Sequence, residues 1–121
     1  MVLAGAGKIG RALLDYTGFS DYGLSITAAF DIAFDRMVKS KSGKPIYPMK
    51  DFERFCRDNK IEIGIIAVPL NSAQEVCDLM VKSGIRGIWC FAPQKLFVPG
   101  DVTVQYENMA LSLAYLSKNI M

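Results

Sequence analysis

Short apolar runs alternate along this chain with segments in which apolar residues recur at helical spacing. The apolar runs are typical of strands and cover residues 2–4, 24–30, 61–68 and 85–91. The run at 61–68 is nearly continuous and rich in β-branched residues, as expected for a central parallel strand covered on both faces. Weaker strand candidates lie at 45–47 and 102–104.

The segments between these runs predict helices. One helix follows the first run and is expected to stop at Gly18, and a second covers residues 51–59. A third begins at a cap formed by Asn71 or Ser72 and ends at Gly84. Strands and helices that alternate in this way predict an α/β fold, a Rossmann-like doubly wound parallel sheet.

The end of the chain departs from this alternation. Residues 107–120 have a helical pattern, but apolar residues occur on nearly all faces of that helix. We therefore divide the chain into a dinucleotide-binding Rossmann domain, residues 1–105, and a C-terminal dimerisation helix, residues 106–121. A second subunit would cover the apolar faces. The alternative is an ordinary helix docked on its own sheet.

A glycine motif follows the first strand directly. Residues 5–10 match G-x-G-x-x-G and consist of Gly5, Ala6, Gly7, Lys8, Ile9 and Gly10. A strand, a glycine turn and a helix in this order form the context that the dinucleotide-binding motif requires. The three glycines would permit the tight turn, the approach of a pyrophosphate and close helix packing, respectively. The alternative is a tight turn that holds no ligand.

An acidic residue strengthens the prediction of nucleotide binding. Asp31 ends the second apolar run about 20 residues after the motif, where an acid can accept hydrogen bonds from both ribose hydroxyls of an adenosine. The same acid would repel a 2′-phosphate. No arginine follows it directly, because Arg36 is five residues further on, so the sequence favours NAD(H) over NADP(H).

Length and composition define a single domain. The chain has 121 residues, of which 51% are hydrophobic and 21% charged, and its net charge of +2 does not indicate a nucleic-acid surface. No apolar run approaches the roughly 20 residues of a membrane span, and we expect no signal peptide. Three widely spaced cysteines, Cys56, Cys77 and Cys90, are typical of reduced thiols in a cytosolic protein.

The side chains required for most catalysis are missing. The chain contains no histidine, which removes the commonest general base and most zinc sites. No tyrosine is followed by lysine at the fourth position, a pair that dehydrogenases use in place of histidine. We therefore predict a protein that binds a redox cofactor, with no catalytic residue and no metal site.

Several segments of the chain resemble the C-terminal, NAD(H)-sensing domain of the Rex family of redox-sensing transcriptional repressors. The resemblance covers nearly the whole sequence in the order of the family. Its most specific parts are Tyr-x-Gly-Phe at 16–19 and Phe-Ala-Pro at 91–93, beside the glycine motif and the segments 29–31, 66–69, 73–76 and 83–88.

This resemblance implies a homodimer that senses the NADH/NAD⁺ ratio without turning the cofactor over, and that leaves operator DNA when NADH binds. It implies that the glycine loop and Asp31 hold the ADP half. The inner pocket would be lined by Val68, Pro69, Phe91, Ala92 and Pro93. Tyr16 would stand beside the nicotinamide, and the closing helix would be exchanged between subunits.

The sequence departs from the family in three places. The winged-helix DNA-binding domain that precedes the sensing domain is absent from these 121 residues, so DNA is a partner only if the parent protein has that domain. Asn108 stands where the family has an aspartate that meets the tyrosine of the other subunit beside the nicotinamide, and it carries no charge. Cys90 replaces the asparagine usual before Phe-Ala-Pro.

Two other functions fit the same glycine turn. The first is the nucleotide-binding half of an NAD-dependent sugar dehydrogenase or dehydratase. The second is a CoA-binding domain of the succinyl-CoA ligase type. Asp31 argues against CoA, because an acid serves a 3′-phosphorylated ribose poorly.

Overall fold

A seven-stranded sheet organises the protein, as seen in a computed structural model that describes residues 1–107 and 116–120. In chain order the strands are β1 (Val2–Ala4), β2 (Ala28–Asp31), β3 (Val38–Lys39), β4 (Pro45–Pro48), β5 (Ile63–Ile66), β6 (Gly87–Cys90) and β7 (Thr103–Tyr106). The helices between them are α1 (Lys8–Asp15), α2 (Phe52–Asp58) and α3 (Ala73–Lys82). Short 3-10 turns occupy Gly18–Tyr22, Met49–Asp51 and Leu70–Ser72.

The spatial order of the strands is β3-β4-β2-β1-β5-β6-β7. Strand β1 lies between β2 and β5, where Leu3 is in register with Ala29 on one side and with Ile65 on the other. All neighbouring strands pair in parallel except β3, which is antiparallel to β4. The chain reverses its direction of travel across the sheet at β1, so the predicted doubly wound, Rossmann-like fold is confirmed.

The core has one apolar layer on each face of the sheet. Val2 and Ala4 point into the layer that α2 and α3 cover, whereas Leu3 points into the layer on the side of α1. Phe30 and Phe52 meet edge to face in the first layer, with their ring centroids 5.0 Å apart. Burial on both faces explains why these strands are apolar at successive positions.

Several regular elements are shorter than predicted. Strand β2 begins at Ala28 and not at residue 24, since Leu24 is exposed before the chain enters the sheet. Helix α1 ends at Asp15, because the backbone of Tyr16 is extended, so the predicted stop at Gly18 is wrong. Strand β3 was not predicted, because its two residues are too few to give a pattern.

The predicted start of the C-terminal helix is also wrong. Tyr106 belongs to β7, so a domain boundary after residue 105 cuts this strand. The backbone N–H of Glu107 donates to the carbonyl of Cys90 at 2.9 Å, which extends the pairing with β6. Residues 108–115 of the predicted helix lie outside the described residues, and residues 116–120 are helical. Within the described ranges, no helix is long and apolar enough to cross a membrane.

Candidate functional site

A cleft of about 860 Å³ opens at the carboxyl ends of β1, β2 and β5. This is the edge of an open α/β sheet where ligands bind, next to the strand at which the winding reverses. The cleft is lined by Gly5, Gly7, Lys8, Ile9, Asp31, Ile32, Met49, Ala67, Val68, Pro69, Ser72, Glu75, Val76 and Leu79. Of the predicted site residues, Gly5, Gly7, Lys8, Ile9, Asp31, Val68 and Pro69 line it.

The three glycines of the turn differ in what a side chain would meet. Gly5 has a φ of +103°, and a Cβ there would lie 2.5 Å from the carbonyl oxygen of Ala67. A Cβ on Gly10 would overlap the carbonyl oxygen of Gly5. A Cβ on Gly7 would meet no heavy atom within 4 Å, although Gly7 lines the cleft. The fold therefore explains Gly5 and Gly10, whereas the space beside Gly7 is open to a ligand.

The carboxylate of Asp31 is held at the cleft by two backbone donors. Its Oδ2 accepts a hydrogen bond from the N–H of Ala6 at 2.7 Å, and its Oδ1 accepts one from the N–H of Ala33 at 2.8 Å. An ionised carboxylate has about four acceptor positions. Two remain for hydroxyl groups that enter the cleft. Ala6 thus serves the site through its backbone and does not line the cleft.

The start of α1 supplies positive charge to the same cleft. Helix α1 begins at Lys8, with Gly7 as its N-terminal cap and no acidic residue in its first turn. The unpaired N–H groups and partial positive charge of a helix N-terminus attract anions. The Nε of Arg11 donates to the carbonyl of Ala6 at 2.9 Å and braces the turn.

The other wall of the cleft is mostly apolar and was not predicted as part of the site. Ile32 follows Asp31 directly and is 84% exposed. Met49 comes from the turn after β4, and Val76 and Leu79 come from α3. Apolar walls beside a few convergent polar groups are typical of nucleotide-sized pockets. In the sequence, the apolar Ile32 directly after the acid is the one signal that could have indicated this wall.

A second depression of about 660 Å³ adjoins the first at the ends of β5 and β6. It is lined by Pro69, Leu70, Asn71, Pro93 and Gln94. Pro69 lines both depressions, so they follow one another along the edge of the sheet. Of these residues, sequence analysis had placed only Pro69 and Pro93 at the site.

The remaining predicted site residues that the structure describes lie elsewhere. Gly10 packs beneath the turn, Ala92 is buried in the core, and Asn108 lies outside the described residues. Phe91 packs in the layer on the side of α1, with its ring centroid 4.7 Å from that of Trp89. Tyr16 follows the end of α1, is 55% exposed and lines neither depression of this single chain.

None of the three cysteines lines either depression. Cys56, Cys77 and Cys90 are buried, and burial raises the pKa of all three thiols, to about 11 for Cys56 and Cys77. Thiols in that state are poor nucleophiles. Among residues 1–107 and 116–120, no group of three or more cysteine, aspartate or glutamate side chains could hold a metal ion.

The turn, the acid and the parallel sheet define the class of protein. The chain belongs to the CoA binding domain family, whose model matches residues 1–94.

Within that class, the chain is similar over nearly its whole length to redox-sensing transcriptional repressors named Rex, so the predicted resemblance is confirmed. It is 42% identical to the repressor of Clostridium kluyveri over 116 residues, which cover 96% of this chain and 55% of that protein. It is 40% identical to the repressor of Pelotomaculum thermopropionicum over 121 residues, or 57% of that protein. The chain spans about half the length of the curated relatives it matches.

Solved structures agree with this placement. The Rex-family repressor RSP is 33% identical to this chain and superposes with a TM-score of 0.90. The match covers 98% of this chain and 57% of the RSP chain. RSP in complex with β-NAD⁺ and operator DNA gives a TM-score of 0.90 with 55% of its length covered, and RSP in complex with β-NADH gives 0.86 with 58% covered.

Proposed function

We propose that this chain is the NAD(H)-binding, redox-sensing domain of a Rex-type transcriptional repressor, responsive to its ligand and non-catalytic. The similarity to Rex repressors and the cofactor complexes of RSP support this function. The missing histidines and the inert thiols support a protein that binds its cofactor without turning it over.

The position of Asp31 is the observation that carries the proposal. Its carboxylate is fixed by the N–H of Ala6 at 2.7 Å, inside the cleft that Gly7 leaves open. The free acceptor positions would bind the two hydroxyls of an adenosine ribose, and the negative charge would repel a phosphate on either hydroxyl. The ligand selected in this way is NAD(H), in preference to NADP(H).

The cofactor would lie across the sheet. The adenine would rest between Ile32, which follows β2, and Leu79 of α3, and the pyrophosphate would meet the backbone near Gly7. The nicotinamide half would extend past Val68 and Pro69 to the second depression, where Pro93 lies. The distance from β2 to β6 is three strand spacings, or about 14 Å, which suits an extended dinucleotide.

The same function implies a homodimer in the cytoplasm. We propose that the C-terminal helix is exchanged between subunits, and that Tyr16 approaches the nicotinamide only in the dimer. Asn108 would then meet Tyr16 of the other subunit. Operator DNA would be a partner of the whole repressor, through the winged-helix domain that the family resemblance implies, as in the RSP complex.

The two alternatives have weaker support. CoA fits the name of the family model, but its 3′-phosphorylated ribose would lie beside the fixed carboxylate of Asp31. The sugar dehydrogenase alternative has a structural neighbour, UDP-D-quinovosamine 4-dehydrogenase from Vibrio fischeri, which is 17% identical to this chain. The match has a TM-score of 0.59 and covers 74% of this chain and 75% of the dehydrogenase chain. That likeness shows the fold alone.

Calorimetric titration with NADH, NADPH and CoA tests the proposal. We expect NADH to bind at least about tenfold more tightly than NADPH and CoA, because the phosphate on the adenosine ribose of these two ligands would be repelled by the carboxylate of Asp31. Asp31→Asn should reduce this preference, whereas Asp35→Asn, at an exposed aspartate four residues along, should leave it unchanged. Equal affinities for NADH and NADPH, or tightest binding of CoA, would overturn the assignment.

A further inference from the structure

One buried acceptor in the described chain has no hydrogen-bond partner. The side-chain Oε1 of Gln94 is shielded from solvent, and no described residue donates to it. Buried polar atoms in folded proteins are nearly always paired, since leaving one unpaired destabilises the folded state. An exception of this kind calls for an explanation, and one explanation is a donor that arrives with a ligand.

The position of Gln94 supports that explanation. Gln94 lines the second depression together with Pro69 and Pro93, beyond the carboxyl ends of β5 and β6. Asp31 lies on the opposite side of the glycine turn, at the end of β2. A dinucleotide whose ribose is held by Asp31 would therefore bring its other base to Gln94.

The backbone around Gln94 is held in place. Its own N–H donates to the carbonyl of Ala92 at 2.8 Å. Three residues further on, the amide of Gln74 in α3 binds both backbone groups of Phe97, at 2.9 Å to the N–H and 3.0 Å to the carbonyl. The loop after β6 is thus fastened to α3, which fixes the backbone that carries Gln94. A turn of this side chain would present its shielded oxygen to the depression.

We propose that the Oε1 of Gln94 accepts a hydrogen bond from the carboxamide NH₂ of the nicotinamide ring, and that Gln94 thereby selects a pyridine that carries a carboxamide. This inference rests on the proposed function. The inference adds a specificity-determining residue at the nicotinamide end of the cofactor, which is the end distant from Asp31. The carboxamide is the group of that ring that can donate hydrogen bonds to a neutral acceptor.

An analogue that lacks only the donor tests the contact. In 3-acetylpyridine adenine dinucleotide a methyl group replaces the NH₂. We expect the wild-type chain to bind NAD⁺ about three- to tenfold more tightly than this analogue, the effect of one neutral hydrogen bond. Gln94→Met keeps the length of the side chain without the acceptor and should bind both ligands equally. Gln94→Glu retains an acceptor and should retain the preference.

Two further measurements separate this contact from a structural role. ADP-ribose has no pyridine and should bind equally to the wild type and to Gln94→Met. The melting temperature of Gln94→Met should match or exceed that of the wild type, because the substitution removes an unpaired buried atom. Gln105→Met, at an exposed glutamine of β7, is the matched control and should keep the preference for NAD⁺.

The possible failures are distinguishable. If Gln94→Met keeps the preference for NAD⁺ over the analogue, the assigned contact is wrong and the proposed function stands. The contact is also wrong if Gln94→Met weakens ADP-ribose binding to the same extent as NAD⁺ binding, or lowers the melting temperature. If the wild type binds neither NAD⁺ nor ADP-ribose, both the contact and the proposed function are overturned.

Discussion

Substituting alanine for Gly7 should abolish tight cofactor binding while the fold stays intact. A Cβ at this position meets no heavy atom within 4 Å, and the φ of −76° is accessible to alanine. Alanine is a poorer helix cap than glycine by less than about 1 kcal/mol. It also restricts the unfolded chain, which stabilises the folded state by about 0.4–1 kcal/mol. These effects oppose each other, so the free energy of unfolding should change by no more than about 1 kcal/mol.

The effect on the ligand should be much larger. The added methyl group would point into the cleft, where the pyrophosphate approaches the N–H groups at the start of α1. Losing one hydrogen bond to a charged group costs about 1.5–3 kcal/mol, which corresponds to a roughly 10- to 100-fold higher Kd.

Titration calorimetry with NADH and urea denaturation of the same samples measure the two effects. Gly100→Ala is the matched control, because a Cβ there also meets nothing within 4 Å and Gly100 lies outside the cleft. Gly10→Ala should behave in the opposite way and destabilise the fold by at least about 1–3 kcal/mol, since its Cβ overlaps the carbonyl of Gly5. If Gly7→Ala binds NADH within twofold of the wild type, the pyrophosphate does not lie against this turn.

Two more predictions concern stability. Burial raises the pKa of Cys56 and Cys77 from 9.0 to about 11, so the folded state keeps protons that the unfolded chain releases. The free energy of unfolding should therefore fall as the pH rises from about 9 to about 11, by up to about 1.4 kcal/mol per pH unit for each thiol. In urea titrations the fall should be smaller for Cys56→Ala/Cys77→Ala, and an unchanged slope would contradict it. Gln74→Leu removes both hydrogen bonds to the backbone of Phe97 and should cost about 1–2 kcal/mol. Hydrogen exchange at the Phe97 amide should then accelerate, whereas the control Gln105→Leu should leave it unchanged. Equal protection of this amide in the two variants would show that the two bonds from Gln74 do not hold the loop.

The order of strands and helices could be predicted because each central strand is buried on both faces and carries its own signal. The run at 61–68 contains β5, and the run at 85–91 contains β6. The ends of these strands were less predictable. An apolar residue such as Leu24 continues the pattern of a strand, yet it lies exposed before β2 begins. Strand β3 forms by pairing with β4, a contact that no local pattern records.

The polar groups of the site could be predicted, whereas most of its apolar wall could not. Gly7 and Asp31 stand in a motif of fixed spacing, and both line the cleft. Met49 and Leu79 reach the same cleft from elements that are distant in sequence, and an apolar residue on a helix has the same pattern whether it faces the core or a ligand. Gln94 had no signal at all in the sequence, since only its shielded, unpaired Oε1 distinguishes it from other loop residues.

The two halves of the site are built on different supports. On the side of β2, the turn is tied to the strand by bonds from Gly5 to the carbonyl of Phe30 at 2.8 Å and from Ala6 to Asp31 at 2.7 Å. Groups ordered before binding cost little further conformational entropy when the ligand arrives. On the side of β6, Gln94 sits on a loop whose fastening to α3 depends on Gln74. NAD⁺ and NADH are identical where they would meet the fixed turn and differ only in the nicotinamide ring. Under the proposed function, any difference in free energy between the two redox states must therefore arise on the side of β6 or from the partner subunit.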